Sequence, residues 1–175
     1  MSDSVDARLQ SDVLVLAFGN EWRGDDAAGI HLGQAIEAMR IPGVRVRICR
    51  QPTPELAAEI ALARVVVFAD ASVSGPPGSA GLSEISRSRR FAIFDHALSP
   101  SDLLDLCEIA FGARPHAYLL RIHVSDCGFG DEPSLEARDA TLRALEIFKN
   151  FCRTLNLQVH NDTAEFGGNH RKPES

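Results

Sequence analysis

Acidic side chains occur where predicted strands end, and one histidine lies just before a predicted helix. Asp25 and Asp26 follow the first apolar run, Asp70 ends the third strand-like run, and His96 precedes a predicted helix. In open α/β sheets, ligands gather outside the carboxyl ends of the strands. One carboxylate from each of two strand ends, together with an imidazole, forms a set of oxygen and nitrogen ligands that suits a first-row divalent metal ion. The spacing therefore indicates a metal site with positions left open for a partner's ligands.

Each of these residues also has a simpler interpretation, which the sequence alone leaves open. Asp25 or Asp26 can cap backbone N–H groups at a helix start, which contributes about 0.3–1 kcal/mol. Asp70 can accept a hydrogen bond from a loop, because a carboxylate that ends a buried strand requires some partner. His96 can be a polar loop residue with ordinary hydrogen bonds.

Other kinds of chemistry fit the sequence less well. Gly19, Gly24 and Gly29 are five residues apart, which is not the dinucleotide-binding spacing, and two acids occupy the helix start where a pyrophosphate would bind. The lysine of a phosphate-binding loop and the G-x-S-x-G elbow of serine hydrolases are both missing from the sequence. Cys107 falls on the apolar stripe of a predicted helix, which favours a core position over a nucleophile.

Short strand-like runs alternate with helical patterns and must position these residues. Strands are predicted at 13–18, 44–48, 65–69 and 118–124, with an antiparallel strand at 81–85. Helices are predicted over 26–39, after Thr53-Pro54, after Ser99-Pro100, and over a closing stripe marked by Leu142, Leu145, Phe148, Cys152 and Leu155. Such alternation predicts a three-layer α/β/α domain with an about five-stranded, mostly parallel twisted sheet. We expect this single domain to span residues 11–158, with residues 1–10 and 159–175 as flexible tails.

Composition limits the classes of partner. The chain has 175 residues, and 18 Lys and Arg against 24 Asp and Glu give a net charge of −6. This acidic balance argues against nucleic acid as a partner. No apolar stretch is long enough for a membrane helix, and the acidic start does not resemble a signal peptide. The four cysteines are scattered, which is typical of reduced thiols, so we expect a cytoplasmic protein with no membrane partner.

Taken together, the motifs resemble those of the nickel–iron hydrogenase maturation endopeptidases. That family has a first strand that runs into G-N-x-x-x-x-D-[DE]-x-x-G, which residues Gly19 to Gly29 match in full. The family also has an aspartate in a D-A step at the end of the third strand, matched by Asp70-Ala71, and a histidine before the next helix, matched by His96. The resemblance extends over residues 13–155.

The resemblance implies an activity and a set of site residues. The family removes a C-terminal extension from the large-subunit precursor of a hydrogenase after nickel has been inserted. By position, the metal-contacting residues would be Asp26, Asp70 and His96, and the nickel would be borne by the substrate, with no organic cofactor. Asp25 would support the helix start or the neighbouring ligand, Gly19 would allow a tight turn, and Asn20 would orient the loop. The attacking group stays open, and water activated by the metal or by a carboxylate is the simplest candidate.

Two other functions remain as alternatives. One is an assembly factor that binds the large subunit without cutting it, although a binder has no need for both carboxylates and the histidine. The other is a metal-dependent, aminopeptidase-like hydrolase, although two-metal sites of that type require more ligands than these strand ends supply. A mass measurement on the large subunit and activity on short free peptides distinguish the three functions.

Overall fold

A single five-stranded sheet organises the part of the chain that the structure describes. The computed structural model describes residues 11–86, 98–127 and 132–158, so both predicted tails lie outside it. The strands are β1 (Ser11–Phe18), β2 (Val44–Cys49), β3 (Ala63–Ser72), β4 (Ala80–Glu84) and β5 (His116–His123). The helices are α1 (Ala28–Ala38), α2 (Leu56–Ile60), α3 (Pro100–Phe111) and α4 (Leu135–Thr154), and a short 3₁₀ helix, Gly24–Ala27, precedes α1.

The strands lie in the order β2-β1-β3-β5-β4, and all neighbours are parallel except β4 and β5. This confirms the predicted mostly parallel sheet with one antiparallel strand. Two interior strands, β1 and β3, are apolar along most of their length because helices cover both of their faces. At one edge, β2 stays partly exposed along its whole length, as expected of a strand that is only half covered.

Two hydrophobic clusters, one on each face of the sheet, complete the three layers. Helices α1 and α4 pack on one face around Leu32, Ile36 and Phe148. Helices α2 and α3 pack on the other face, where Phe68 and Leu103 are fully buried. No helix among the described residues is long and apolar enough to span a membrane.

Local signals place α3 as the sequence predicts. Ser99 is its N-cap, and its hydroxyl accepts a hydrogen bond from the Asp102 N–H while the Asp102 carboxylate accepts one from the Ser99 N–H, which forms a capping box. Gly112 ends the helix in a left-handed conformation, with φ of 65°. The predicted start and end of this helix are confirmed.

Three details of the sequence-based prediction are wrong. Helix α2 begins at Leu56 with Glu55 as its N-cap, because Thr53 and Pro54 form a preceding turn through their carbonyl oxygens. Strand β3 does not end at Asp70 but continues to Ser72, since β5 still pairs with it there. Leu142 is exposed, because alanines contribute much of the buried stripe of α4 and Leu142 lies off that stripe.

Candidate functional site

The carboxyl ends of β1 and β3 form the switch point of the sheet. The chain leaves β1 for β2 on one side and then crosses over to β3 on the other side, which is the arrangement that opens a ligand crevice. Pairing between β1 and β3 ends at Ala17 and Ala69, whereas β3 continues alongside β5 through Asp70. We call the space between the Gly19–Asp26 loop and this extension of β3 the switch-point crevice.

Backbone hydrogen bonds fold the Gly19–Asp26 loop into a closed turn. The Asn20 N–H donates to the Asp26 carbonyl at 3.3 Å, and the Asn20 carbonyl accepts from the Arg23 N–H at 3.0 Å. The Asn20 side-chain oxygen also accepts from the Trp22 N–H at 3.1 Å. Because one residue makes all three bonds, Asn20 fixes the path of the chain between β1 and Asp26.

The glycines of the motif are required by close backbone packing. A Cβ atom at Gly19 would overlap the Asp26 carbonyl oxygen, and one at Gly29 would overlap the Phe18 carbonyl oxygen. The loop and the start of α1 therefore approach the end of β1 more closely than any side chain allows. This packing holds Asp26 next to the end of the strand.

The two adjacent aspartates have different environments. Asp25 is only 8% exposed, and its two carboxylate oxygens accept hydrogen bonds from the Ser134 N–H at 2.6 Å and the Ser134 hydroxyl at 2.9 Å. Asp26 is half-buried, and burial raises the pKa of its carboxyl while the nearby Arg23 lowers it. The N-cap residues of the 3₁₀ helix and of α1 are Arg23 and Ala27, so capping of these helices by the aspartates was a wrong interpretation.

Asp70 lies on the face of β3 that also carries Phe68, and as a whole residue it is exposed. Although the residue keeps contact with solvent, the protein around its carboxylate removes enough hydration to raise its pKa to about 6. The negative charge of Asp26 raises the pKa of Asp70 further, and a hydrogen bond from the backbone of Ala71 lowers it. The two carboxylates therefore interact electrostatically, as two oxygen donors of one cation site would.

One of the four scattered cysteines, for which the sequence predicted no role, lies at the same edge of the sheet. Cys127 follows β5 and is half-buried. Burial raises the pKa of its thiol, and the charges of Asp26, Asp70 and Asp25 raise it further. The position of Cys127 just after a strand that ends at this edge is the signal that would have found it.

The described residues contain two of the three predicted metal ligands. Asp26 and Asp70 interact electrostatically at the carboxyl edge of the sheet, whereas His96 lies outside the described residues. Within residues 11–86, 98–127 and 132–158, no group of three or more His, Cys, Asp or Glu side chains is arranged to hold a metal ion. The donor set that the structure does describe consists of two carboxylates, which suits a divalent cation that also takes ligands from another molecule.

Comparison with solved structures places this arrangement among known folds. The hydrogenase maturating endopeptidase HybD from E. coli matches 83% of this chain and 94% of its own, with 22% identity and a TM-score of 0.69. The fold is that of the hydrogenase maturation proteases. The maturation protease HycI from Thermococcus kodakarensis matches 84% of this chain and 94% of its own, with 21% identity and a TM-score of 0.64.

A further match with this fold is the hydrogenase 2 maturation peptidase from a Thaumarchaeota archaeon, which covers 83% of this chain and 99% of its own at 22% identity and a TM-score of 0.60. No protein-family model matches the sequence, and no curated protein matches it. At these identities the comparisons establish the fold that the motif resemblance implies.

Proposed function

We propose that this protein is an endopeptidase that removes the C-terminal extension of a nickel–iron hydrogenase large-subunit precursor after nickel insertion. The observation that carries the proposal is the pair of interacting carboxylates, Asp26 and Asp70, at the switch point of this fold. Solved proteins with the same fold are named as hydrogenase maturation endopeptidases and proteases, which supports the assignment.

The chemistry would be hydrolysis by water activated at a carboxylate, as in an aspartyl-type endopeptidase. A general base must be ionised before it accepts a proton, and the pKa of Asp70 without a bound cation is about 6, so its carboxylate is mostly ionised near pH 7 even before nickel lowers that pKa further. Asp70 would take a proton from water as the water oxygen forms a bond to the scissile carbonyl carbon. When the C–N bond breaks, the same proton would pass to the leaving nitrogen.

The nickel would enter with the substrate. Asp26, Asp70 and His96 would contact the nickel already held by the precursor, which would make cutting depend on a loaded active site. Two carboxylates with raised pKa values are suited to this role, because a cation beside them favours their ionised forms. No organic cofactor is required, and we expect the reaction to take place in the cytoplasm.

Loss of Asp70 or His96 is expected to abolish processing without unfolding the protein. The substitutions Asp70→Asn and His96→Ala should each reduce the rate at which nickel-loaded precursor is cut by at least about 100-fold, because each removes a group that would act in the reaction. The measurement is a mass spectrum of the large subunit before and after incubation, with circular dichroism to verify folding. Asp139→Asn, an exposed carboxylate on α4, is the matched control and should cut at the normal rate.

The alternative functions give different outcomes in the same assay. An assembly factor would form a stable complex with the precursor but leave its mass unchanged. An aminopeptidase-like hydrolase would shorten small free peptides in the absence of any folded precursor. Normal processing by Asp70→Asn would contradict the proposed site even if the wild-type protein cuts the precursor.

A further inference from the structure

A small cavity lies beside the switch-point crevice, at the carboxyl ends of β1 and β2. Its volume is about 210 Å³, and its lining is polar and apolar in about equal parts, the apolar part coming from Trp22, Ile30 and Ile48. Cys49 adds a thiol whose pKa is raised by burial, so the wall contributed by the end of β2 stays uncharged near neutral pH. Asn20, Glu21 and Arg50 complete the lining with an amide and one charge of each sign.

The size of the cavity indicates the kind of group it can hold. Sites for small-molecule ligands usually have volumes of about 300–1,000 Å³, and this cavity is smaller. A volume of about 210 Å³ suits a single amino-acid side chain. The apolar lining from Trp22, Ile30 and Ile48 favours an apolar side chain, and the opposite charges of Glu21 and Arg50 give no preference for a net charge.

Trp22 is presented outward by a fixed loop. It is the single tryptophan of the chain, and 74% of its surface is exposed. Its backbone N–H donates to the Asn20 side chain, so the indole is carried on the same closed turn that positions Asp26. Exposed tryptophans on a fixed backbone are typical of the residues that contribute most to binding a protein partner.

The sheet sets the distance between the cavity and the carboxylate pair. The order β2-β1-β3 places the cavity on the β2 side of the Gly19–Asp26 loop and Asp70 on the β3 side. Two strand spacings of about 4.8 Å separate β2 from β3, and an extended peptide rises about 3.3 Å per residue. A peptide that crosses the carboxyl edge of the sheet would therefore cover this distance with about three residues.

We propose that the cavity between Trp22, Ile30 and Ile48 is a specificity subsite that binds an apolar side chain of the substrate peptide, about three residues from the bond that is cut. The proposal rests on the endopeptidase function proposed above and identifies the part of the substrate that the enzyme reads. It makes Trp22 a specificity-determining residue that contacts the substrate peptide without taking part in the bond cleavage.

The substitution Trp22→Ala should raise the KM for nickel-loaded precursor about tenfold and leave kcat within about twofold, because it removes binding contacts and leaves the reacting groups in place. Trp22→Phe should restore most of the affinity. Phe111→Ala is the matched control, since Phe111 is another exposed aromatic residue, at the end of α3 and outside the cavity lining. An unchanged KM for Trp22→Ala would overturn the proposal.

A substrate scan adds a second test. Alanine is placed at each precursor residue around the cut, and each precursor variant is processed by the wild-type enzyme and by Trp22→Ala. Alanine in place of one apolar precursor residue, about three residues from the cut, should raise the KM of the wild-type enzyme. The same replacement should change the KM of Trp22→Ala little. If no position loses its effect in Trp22→Ala, the cavity does not bind a substrate side chain.

Fluorescence separates failure of the subsite from failure of the proposed function. Trp22 is the sole tryptophan, so its emission reports on the cavity directly. A synthetic, tryptophan-free peptide that spans the precursor's cut should shift this emission to shorter wavelength, even if the protein cuts no precursor. Absence of any shift at saturating peptide would overturn the subsite, whether or not the precursor is processed.

Discussion

The carboxylate of Asp70 illustrates how burial and a neighbouring charge act together on one side chain. Removal of hydration raises its pKa first, and the charge of Asp26 raises it further, to about 6 compared with 3.8 for an ordinary aspartate. The folded protein therefore holds a proton on Asp70 at a pH where the unfolded chain has released it. Between pH 3.8 and about 6, this group makes the fold progressively less stable as the pH rises.

Because ionisation of Asp70 lowers the stability of the fold, Asp70→Asn should stabilise the fold above pH 6. At pH 7.5 we expect the free energy of unfolding to rise by about 1 kcal/mol, which is less than the full pKa shift would give because solvent screens this residue. Near pH 4, where the folded state holds the proton and the unfolded state is still about half protonated, most of the gain should disappear. Urea denaturation at the two pH values is the measurement, with Asp139→Asn as a control that changes little at either.

A gain for Asp70→Asn that is equal at pH 4 and pH 7.5 would contradict the linkage. A loss of stability at pH 7.5 would contradict it as well, since it would mean that ionised Asp70 contributes favourable contacts. A gain at pH 7.5 combined with loss of processing would show that the carboxylate is retained for function at the expense of stability.

At the scale of secondary-structure elements, the start of α4 is bound to the loop that precedes α1. The Ser134 hydroxyl donates to Asp25 and also accepts from the Ala137 N–H, which makes Ser134 the N-cap of α4. The Ser134 N–H donates to the other oxygen of Asp25. A buried carboxylate thus holds the last helix against the turn that carries Asp26.

Asp25→Asn and Ser134→Ala should each destabilise the protein and should not be additive. Asp25→Asn replaces one acceptor oxygen by a donor group and should cost about 1–3 kcal/mol. Ser134→Ala removes the hydroxyl bond to Asp25 and the helix cap, keeps the backbone N–H bond to Asp25, and should cost about 1–2 kcal/mol. Because the two residues share their hydrogen bonds, the double substitution should cost less than the sum. Urea denaturation of the single and double variants measures this coupling.

Ser99→Ala is the matched control for this pair. It removes a serine N-cap from α3, with no bond to Asp25, so its cost should add to that of Asp25→Asn within about 0.5 kcal/mol. Strict additivity of Asp25→Asn with Ser134→Ala would contradict the role of the two bonds between them.

At the scale of the whole molecule, the sheet separates two hydrophobic clusters that contribute to stability independently. Phe68 is fully buried under α2 and α3, and Phe148 is fully buried between α4 and the opposite face of the sheet. Phe18 stacks on Phe68 at the end of the strands, with ring centroids 6.5 Å apart.

Phe68→Leu and Phe148→Leu should each lower the free energy of unfolding by about 1–2 kcal/mol, because each leaves a partly filled cavity in a close-packed cluster. The two residues lie on opposite faces of the sheet, so the costs should add within about 0.5 kcal/mol. Denaturant titration followed by circular dichroism provides the measurement. A large coupling between the two substitutions would show that the sheet transmits strain from one layer to the other.

The sequence by itself determined those features that depend on neighbours along the chain. Short strand-like runs identified all five strands, and Ser99 and Gly112 marked the ends of α3, because caps and periodicity act over a few residues. The alternation of strands and helices was enough to predict the layers and the mostly parallel sheet. The positions of Asp26 and Asp70 at one edge followed from this, since the carboxyl ends of parallel strands lie together.

Only the tertiary structure decided how these residues are used. Asp25 and Asp26 are adjacent and chemically identical, yet their roles differ because Ser134, 109 residues from Asp25 along the chain, folds back onto one of them. Strand β3 continues past Asp70 because β5 pairs with it there, and no local pattern encodes that partner. The cavity beside Trp22 likewise exists only where β1, β2 and α1 meet. Such features depend on contacts between distant segments, which the folded chain alone brings together.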